Sequence, residues 1–158
     1  MWQTIENHPF AKDWNLDIVG DGPDLESFKS LADKLGLMRC TFHGRQDPVE
    51  YYRQASLFFM ASEFEGFPMT LVEAQMMGCV PIAFDTFDSL KEVITDGTNG
   101  RIIPNNDTKG FIDATIELMS HPDKRRELIQ NGLNDCLRFS QKNICECWKT
   151  FIEEILNH

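Results

Sequence analysis

Residues 62–74 contain the side chains whose types and spacing are best suited to binding chemistry. Two carboxylates, Glu65 and Glu73, lie eight positions apart, and a Gly-Phe-Pro turn directly follows the first. Pro68 suits the first position of a helix, and Gly78 suits the left-handed residue that ends a helix about three turns later. If helical phase holds back to the turn, Glu73 lies about two turns in, on the same broad face as Glu65.

This turn follows the apolar residues 57–60, which predict a buried strand. A strand, a tight glycine turn and a helix N-terminus form an anion site, because free backbone N–H groups and the positive end of the helix dipole point at one place. The sequence therefore predicts an anionic ligand flanked by two carboxylates. The alternative is that both glutamates are solvated, since acidic residues favour the first turn of any helix.

Length and composition predict one globular domain. The chain has 158 residues, of which 42% are hydrophobic, so it can bury a substantial core. A formal net charge of −10 argues against nucleic acid or an anionic membrane as the main partner, because both require a basic surface. The chain has five cysteines without CxxC spacing and no signal peptide, which predicts a cytoplasmic location.

Short apolar runs alternate with helix-length periodic segments, which is typical of an α/β fold with a parallel sheet and helices on both faces. The predicted strands are residues 16–20, 40–43, 57–60, 80–84 and 101–103. The predicted helices include residues 23–35, 89–94, 107–120, 122–137 and 141–156, and a capping box at residues 47–50 predicts one more. Residues 2–5 resemble the tail of a helix.

Two helices carry pronounced apolar faces. In the helix at residues 23–35, the face consists of Leu25, Phe28, Leu31, Ala32 and Leu35. In the last helix, which Ser140 caps, it consists of Ile144, Trp148, Phe151 and Ile155. We expect this last stripe to pack in the core, and the alternative is that part of it is bare. His8, His121 and His158 are expected on the surface.

Several further segments occur in a characteristic order with the glutamate pair: residues 14–23, 41–44, 51–56 and 96–100. Together they resemble the retaining GT-B glycosyltransferases usually grouped as family 4. The resemblance implies the C-terminal half of a GT-B fold, which is a Rossmann-like doubly wound parallel sheet, here with extra C-terminal helices. It also implies that residues 1–158 form a single nucleotide-sugar-binding domain, truncated at its N-terminus and lacking the acceptor domain.

By the same resemblance, Glu65 is the catalytic residue at the transferred sugar, and Glu73 accepts hydrogen bonds from the ribose hydroxyls. The other donor-binding residues are Gly20, Gly22, Gly44, Arg45, Gln46, Gly66, Phe67, Pro68, Met69, Thr70 and Leu71. The loop at residues 44–46 would meet the nucleobase, and backbone N–H groups of residues 66–71 would hold the sugar and the diphosphate. No metal and no cofactor are expected.

Two departures from the family pattern affect these expectations. The Arg and Lys that neutralise the leaving diphosphate would precede Trp2 and are not in this chain, so we expect it to be nearly inactive alone. The sequence Phe87-Asp88-Ser89 replaces a familiar Gly-Gly pair, which leaves the sugar identity open.

The sheet should also lack its central strand. In the strand order 3-2-1-4-5-6, residues 16–20 would be the second strand, next to an absent first one. Direct pairing of residues 16–20 with residues 57–60, a strand lent by another chain, or a strand from an upstream segment could complete the sheet. We expect the last of these, because a sheet without its centre should be unstable.

The function that the sequence predicts is the donor half of a sugar transfer. A sugar would move from a UDP- or GDP-linked donor to a glycan or lipid-linked acceptor, with retention and without a metal, since the sequence has no DxD pair. Nucleic acid is not an expected partner, and the full-length protein could also lie peripherally at the inner membrane face. A non-catalytic nucleotide-sugar-binding module and a GT-B-like epimerase or hydrolase stay open as alternatives.

Overall fold

A computed structural model describes residues 1–157, and His158, which the sequence places on the surface, lies outside the described residues. The five strands are β1 (Leu16–Val19), β2 (Cys40–Gly44), β3 (Leu57–Met60), β4 (Val80–Asp85) and β5 (Arg101–Pro104). Each agrees with its predicted run to within one residue. The apolar runs are short and end at glycine, proline or polar residues, so their limits are well marked in the sequence.

Seven α-helices surround these strands in residues 1–157: α1 (Trp2–Glu6), α2 (Leu25–Lys34), α3 (Val49–Gln54), α4 (Met69–Met76), α5 (Thr108–Ser120), α6 (Pro122–Cys136) and α7 (Gln141–Leu156). Three 3-10 turns occur at Pro9–Ala11, Asp88–Glu92 and Leu137–Phe139. The predicted helix at residues 89–94 is therefore a shorter 3-10 turn. Pro68, predicted as the first residue of α4, directly precedes it instead, and Gly78 follows its end with φ of +86°, as predicted.

All strand pairs are parallel, but they form two sheets, one of β1 and β2 and one in the order β3-β4-β5. Direct pairing of β1 with β3 is not found within residues 1–157, so that route to a complete sheet is wrong. The other two routes stay predictions. The sheets share a hydrophobic cluster in which Leu16 of β1 and Leu57 of β3 pack with Ile5 of α1. The fold is thus Rossmann-like α/β, with parallel strands flanked by helices.

Strand β4 supplies the core on both faces of its sheet, because successive side chains of a strand point in opposite directions. Val80 and Ile82 pack with Phe111 and Leu118 of α5 on one face. On the other face, Ala83 packs in a second cluster with residues of α4 and of the Asp88–Glu92 turn. The second cluster holds α4, which carries part of the candidate site, against this face of the sheet.

Two predicted apolar faces are largely exposed. In α7 the exposed fractions of Ile144, Trp148, Phe151 and Ile155 are 40%, 61%, 53% and 59%. The prediction that this stripe packs in the core is therefore wrong for residues 1–157: α7 mainly contacts the preceding Leu137–Phe139 turn. An apolar stripe shows that a helix can bury one face but does not identify its partner. In α2 only Ala32 is buried. None of the helices in the described part of the chain has the length and apolar character needed to cross a membrane.

Candidate functional site

The candidate site lies where the parallel strands end. The strands within each sheet are parallel, so the loops after β1 and β2 lie at one edge of the first sheet and those after β3 and β4 at one edge of the second. The carboxyl edge is where open α/β sheets bind ligands. The predicted site residues fall into two groups, one for each sheet. One group follows β1 and β2, and the other follows β3, on the other sheet.

The first group forms a shallow cavity. Asp21, Gly22 and Arg45 line a cavity of about 620 Å³. The N–H of Gly20 donates to the carbonyl of Gly44 at 2.8 Å, which holds the two loops together. Gly44 has φ of +66°, where a side chain would be strained, and a Cβ on it would meet no atom within 4 Å. The turn at Gly44 therefore leaves bare backbone next to Arg45, which lines the cavity.

The second group surrounds the N-terminus of α4, which no side chain in residues 1–157 caps. The N–H of Met69 donates to the Phe67 carbonyl and that of Leu71 to the Pro68 carbonyl, at 2.9 and 3.0 Å. These two donors are therefore occupied, and Pro68 has none. Of the predicted backbone donors, only the N–H groups of Gly66, Phe67 and Thr70 stay available for an anion.

Glu65 and Glu73 do not share a helix face, contrary to the helical-phase prediction. Helix α4 begins only at Met69, so Glu65 lies in the turn before it. The eight-residue spacing therefore does not place Glu65 on a face of α4. Glu65 is half-buried, and Glu73 is exposed on α4. Neither carboxylate forms an ion pair with another group in the described residues. Both therefore have free acceptor oxygens.

Tyr52 of α3 is a neighbour of Glu73 that the sequence did not reveal. Burial raises the pKa of the Tyr52 phenol, and the Glu73 carboxylate raises it further. Its ring packs edge-on against Phe58, with 5.6 Å between the ring centroids. The Glu73 carboxylate thus lies close enough to the buried Tyr52 phenol to disfavour its ionised form.

Neighbouring side chains hold His43, so one of its two ring nitrogens is not free to bind a ligand. Its Nε2 lies 2.6 Å from a carboxylate oxygen of Asp17, and its ring lies 4.7 Å from that of Tyr51. The Asp17 contact joins β1 to β2 below the cavity. Sequence spacing alone could not reveal it, because the two residues are 26 positions apart.

A buried polar network fixes the orientation of α4. The Gln75 amide donates to the carbonyl of Asn99 at 3.0 Å. The Asn99 amide in turn donates to a carboxylate oxygen of Asp135 in α6 at 2.7 Å and to the Val93 carbonyl at 3.1 Å. Gln75 and Asn99 are each only 1% exposed. Because Gln75 and Glu73 belong to the same helix, this network also fixes the backbone that carries Glu73.

Known structures share this fold. The pneumococcal O-GlcNAc transferase GtfA, solved in complex with UDP and GlcNAc, matches 99% of this chain with a TM-score of 0.84 and 24% identity. The match covers 32% of that protein. It is a likeness of fold.

Related sequences are also known. The exopolysaccharide phosphotransferase SCO2592 of Streptomyces coelicolor is 28% identical over 98% of this chain and 16% of its own length. The lipopolysaccharide 1,6-galactosyltransferase of Salmonella typhimurium is 35% identical over 66% of this chain and 30% of its own length. The chain therefore spans less than a third of the length of these relatives. The sequence model of the family Glycosyl transferases group 1 matches residues 5–135, and this chain belongs to that family.

Proposed function

We propose that this chain is the donor-binding domain of a glycosyltransferase that uses a UDP- or GDP-linked sugar. The sugar would pass to a glycan or lipid-linked acceptor, with retention and without a metal. The observation that carries the proposal is the turn between β3 and α4, where the N–H groups of Gly66, Phe67 and Thr70 donate to no partner within residues 1–157. Glu65 lies in this turn and Glu73 further along α4, and both carboxylates are unpaired in the same part of the chain. Free N–H groups at a helix N-terminus favour the negative charge of a diphosphate.

The carboxylates complement the uncharged parts of such a donor. An ionised carboxylate offers two acceptor oxygens, which suits a vicinal diol such as that of ribose. Glu73 is exposed and unpaired, so it is assigned to the ribose hydroxyls. Glu65 lies in the turn itself, next to the free N–H groups, and is assigned to the transferred sugar.

The loops after β1 and β2 are assigned to the other end of the donor. The cavity lined by Asp21, Gly22 and Arg45 is open and polar, and the bare backbone at Gly44 lets a planar base approach. In this arrangement Arg45 and Gln46 meet the nucleobase, and Gly20 and Gly22 leave room for the phosphates.

The comparisons support this choice of ligand. The GtfA structure of the same fold holds UDP and GlcNAc, and the Salmonella relative is a galactosyltransferase. Glycosyl transfer is therefore the activity we propose for the whole protein that contains this domain, with a cytoplasmic location as part of the same proposal.

Nucleotide binding tests the proposal. Isothermal titration of the chain with UDP and with GDP should give weak, saturable binding of at least one of them. Glu73→Gln should weaken that binding by about tenfold or more, because a charge-assisted hydrogen bond contributes roughly 1.5 to 3 kcal/mol. Glu127→Gln is the matched control, since Glu127 is an exposed helical glutamate of α6. Equal affinity in all three proteins would refute the ribose assignment.

Turnover tests the role of Glu65 separately. In a full-length enzyme that carries this domain, Glu65→Gln should depress turnover, whereas Glu63→Gln, two residues earlier and exposed, should not. The product anomer, measured by NMR, should retain the donor configuration, and EDTA should leave the rate unchanged. An inverted product or a rate lost to EDTA would contradict the proposed reaction.

A further inference from the structure

The turn that contains Glu65 is attached to the domain by two side chains from outside it. At its start, the Thr86 hydroxyl donates to the Ser62 carbonyl at 2.6 Å. At its end, the Phe67 ring meets the Phe139 ring edge-on, with 5.4 Å between the centroids and 65° between the planes. Glu65, between these points, forms no side-chain hydrogen bond of its own in residues 1–157. Its position therefore depends on the two attachments.

Phe139 is itself held in place. It lies in the Leu137–Phe139 turn between α6 and α7, is half-buried, and packs against the core cluster that contains Leu90. The guanidinium of Arg138 lies over the Phe139 ring, 4.6 Å from its centroid, and donates to the Glu92 carbonyl. A ring fixed in this way can serve as a rigid support for a neighbouring residue.

Phe67 is more exposed than Phe139. It is 41% exposed and sits in a turn whose preceding residues, Phe64 and Gly66, are also exposed. Gly66 adds no side-chain packing of its own. The edge-on contact is thus a side-chain restraint on the end of the turn that carries the free N–H groups, next to the buried Pro68 that follows Phe67.

We propose that Phe139 is a positioning residue for the Glu65 turn, acting through Phe67. It touches no part of the donor as assigned above and lies 74 positions along the chain from Glu65. The functional consequence rests on the proposed function, but the positioning itself does not. An edge-on aromatic pair contributes enough to shift a local equilibrium by roughly two- to tenfold, which sets the size of the expected effect.

The competing explanation is that Phe139 only fills space in the core. A matched residue distinguishes the two. Phe59 of β3 is also half-buried and meets Phe111 edge-on, with 5.3 Å between centroids and 71° between planes. That pair lies in the cluster under α5, on the opposite face from the cluster of Phe139. Truncating either ring removes the same kind of contact, but only one of them lies at the turn.

The test compares Phe139→Leu with Phe59→Leu in the 15N-labelled chain. Both should lower the urea midpoint. Only Phe139→Leu should lower the order parameters of the Glu65, Gly66 and Phe67 amides, and Phe139→Tyr, which keeps the ring, should restore them. Unchanged order parameters in Phe139→Leu, or equal changes in both leucine variants, would overturn the proposal.

Two further measurements complete the design. If Phe139→Leu does not fold, Phe67→Leu removes the same pair from its exposed side and must loosen the same amides. If UDP binds, Phe139→Leu should weaken it by about three- to tenfold while Phe59→Leu leaves it unchanged. If UDP binds none of the proteins, wild type included, the proposed function fails, and the order parameters still decide the role of Phe139.

Discussion

Replacing Asn99 by alanine should be strongly destabilising, because its side chain joins three parts of the chain. The side-chain oxygen accepts from the N–H of Thr95 at 2.8 Å. The amide nitrogen donates to the Val93 carbonyl at 3.1 Å and to an Asp135 carboxylate oxygen at 2.7 Å. Asn99 is 1% exposed, so water does not replace these partners easily.

The expected loss can be assembled bond by bond. The two bonds to neutral backbone groups contribute about 1 kcal/mol each, and the bond to the Asp135 carboxylate about 1.5 to 3 kcal/mol. Asp135 is only partly buried and can recover some hydration, which favours the lower part of that range. We therefore expect Asn99→Ala to lower the free energy of unfolding by about 3.5 to 4 kcal/mol.

Urea unfolding followed by circular dichroism measures this loss as a lower midpoint at an unchanged slope. Asn134→Ala is the control: Asn134 is exposed on α6 and accepts only a weak 3.3 Å bond from Gln130, so we expect a change below about 0.5 kcal/mol. Asn99→Asp should be destabilising at neutral pH and recover as the pH falls, because it faces Asp135 with a second carboxylate. A loss below about 1 kcal/mol in Asn99→Ala, or one equal to the control, would refute this reasoning.

Three further outcomes follow from the structure. At about pH 8, a thiol reagent followed by mass spectrometry should modify the two exposed cysteines of α7 but not Cys79 or Cys136, because burial raises the pKa of both buried thiols to about 11. Asp107→Ala should lower the urea-measured stability by roughly 0.5 to 2 kcal/mol, because its carboxylate caps α5 by accepting an N–H bond at 2.8 Å. An ultraviolet titration of Tyr52 should show a pKa above the usual phenol value, and Glu73→Gln should lower it. Because the pKa of Tyr52 is raised in the folded state, its neutral phenol contributes stability that is fully present below the pKa that the phenol has in the unfolded chain. This contribution is lost as the pH rises through the pKa of the folded state.

Local features of the fold could be predicted from the sequence. The apolar runs located all five strands to within one residue, and Gly78 and Ser140 located helix ends correctly. These signals are local: a left-handed glycine or a capping hydroxyl acts within one turn of its own position. No partner elsewhere in the chain is needed to interpret them.

Features that depend on distant partners were not predictable. The stripe of α7 has the periodicity of a buried helix, yet Trp148 is 61% exposed, because periodicity records an apolar face and not what covers it. The division into two sheets could not be predicted for the same reason. Strand patterns give no information about which strand edges pair, so the sequence located β1 and β3 but did not show that they belong to different sheets.

The candidate site shows the same division. The sequence located the glycine turn and both glutamates, but the helical phase does not extend back through the turn to Glu65, because α4 begins at Met69. The supports supplied by Thr86 and Phe139 lie far from the turn in sequence and become visible only when the chain is folded. Which backbone N–H groups of the turn stay free likewise depends on which carbonyls accept hydrogen bonds from the others.

The central claim is that a nucleoside diphosphate binds at the turn between β3 and α4. A titration of the 15N-labelled chain with UDP, and in parallel with GDP, tests it most directly. We expect the amide resonances of Gly66, Phe67 and Thr70 to shift together with one dissociation constant, and Glu73→Gln to weaken that constant by about tenfold or more. Saturable shifts confined to other parts of the chain, with these three amides unmoved, would contradict the account.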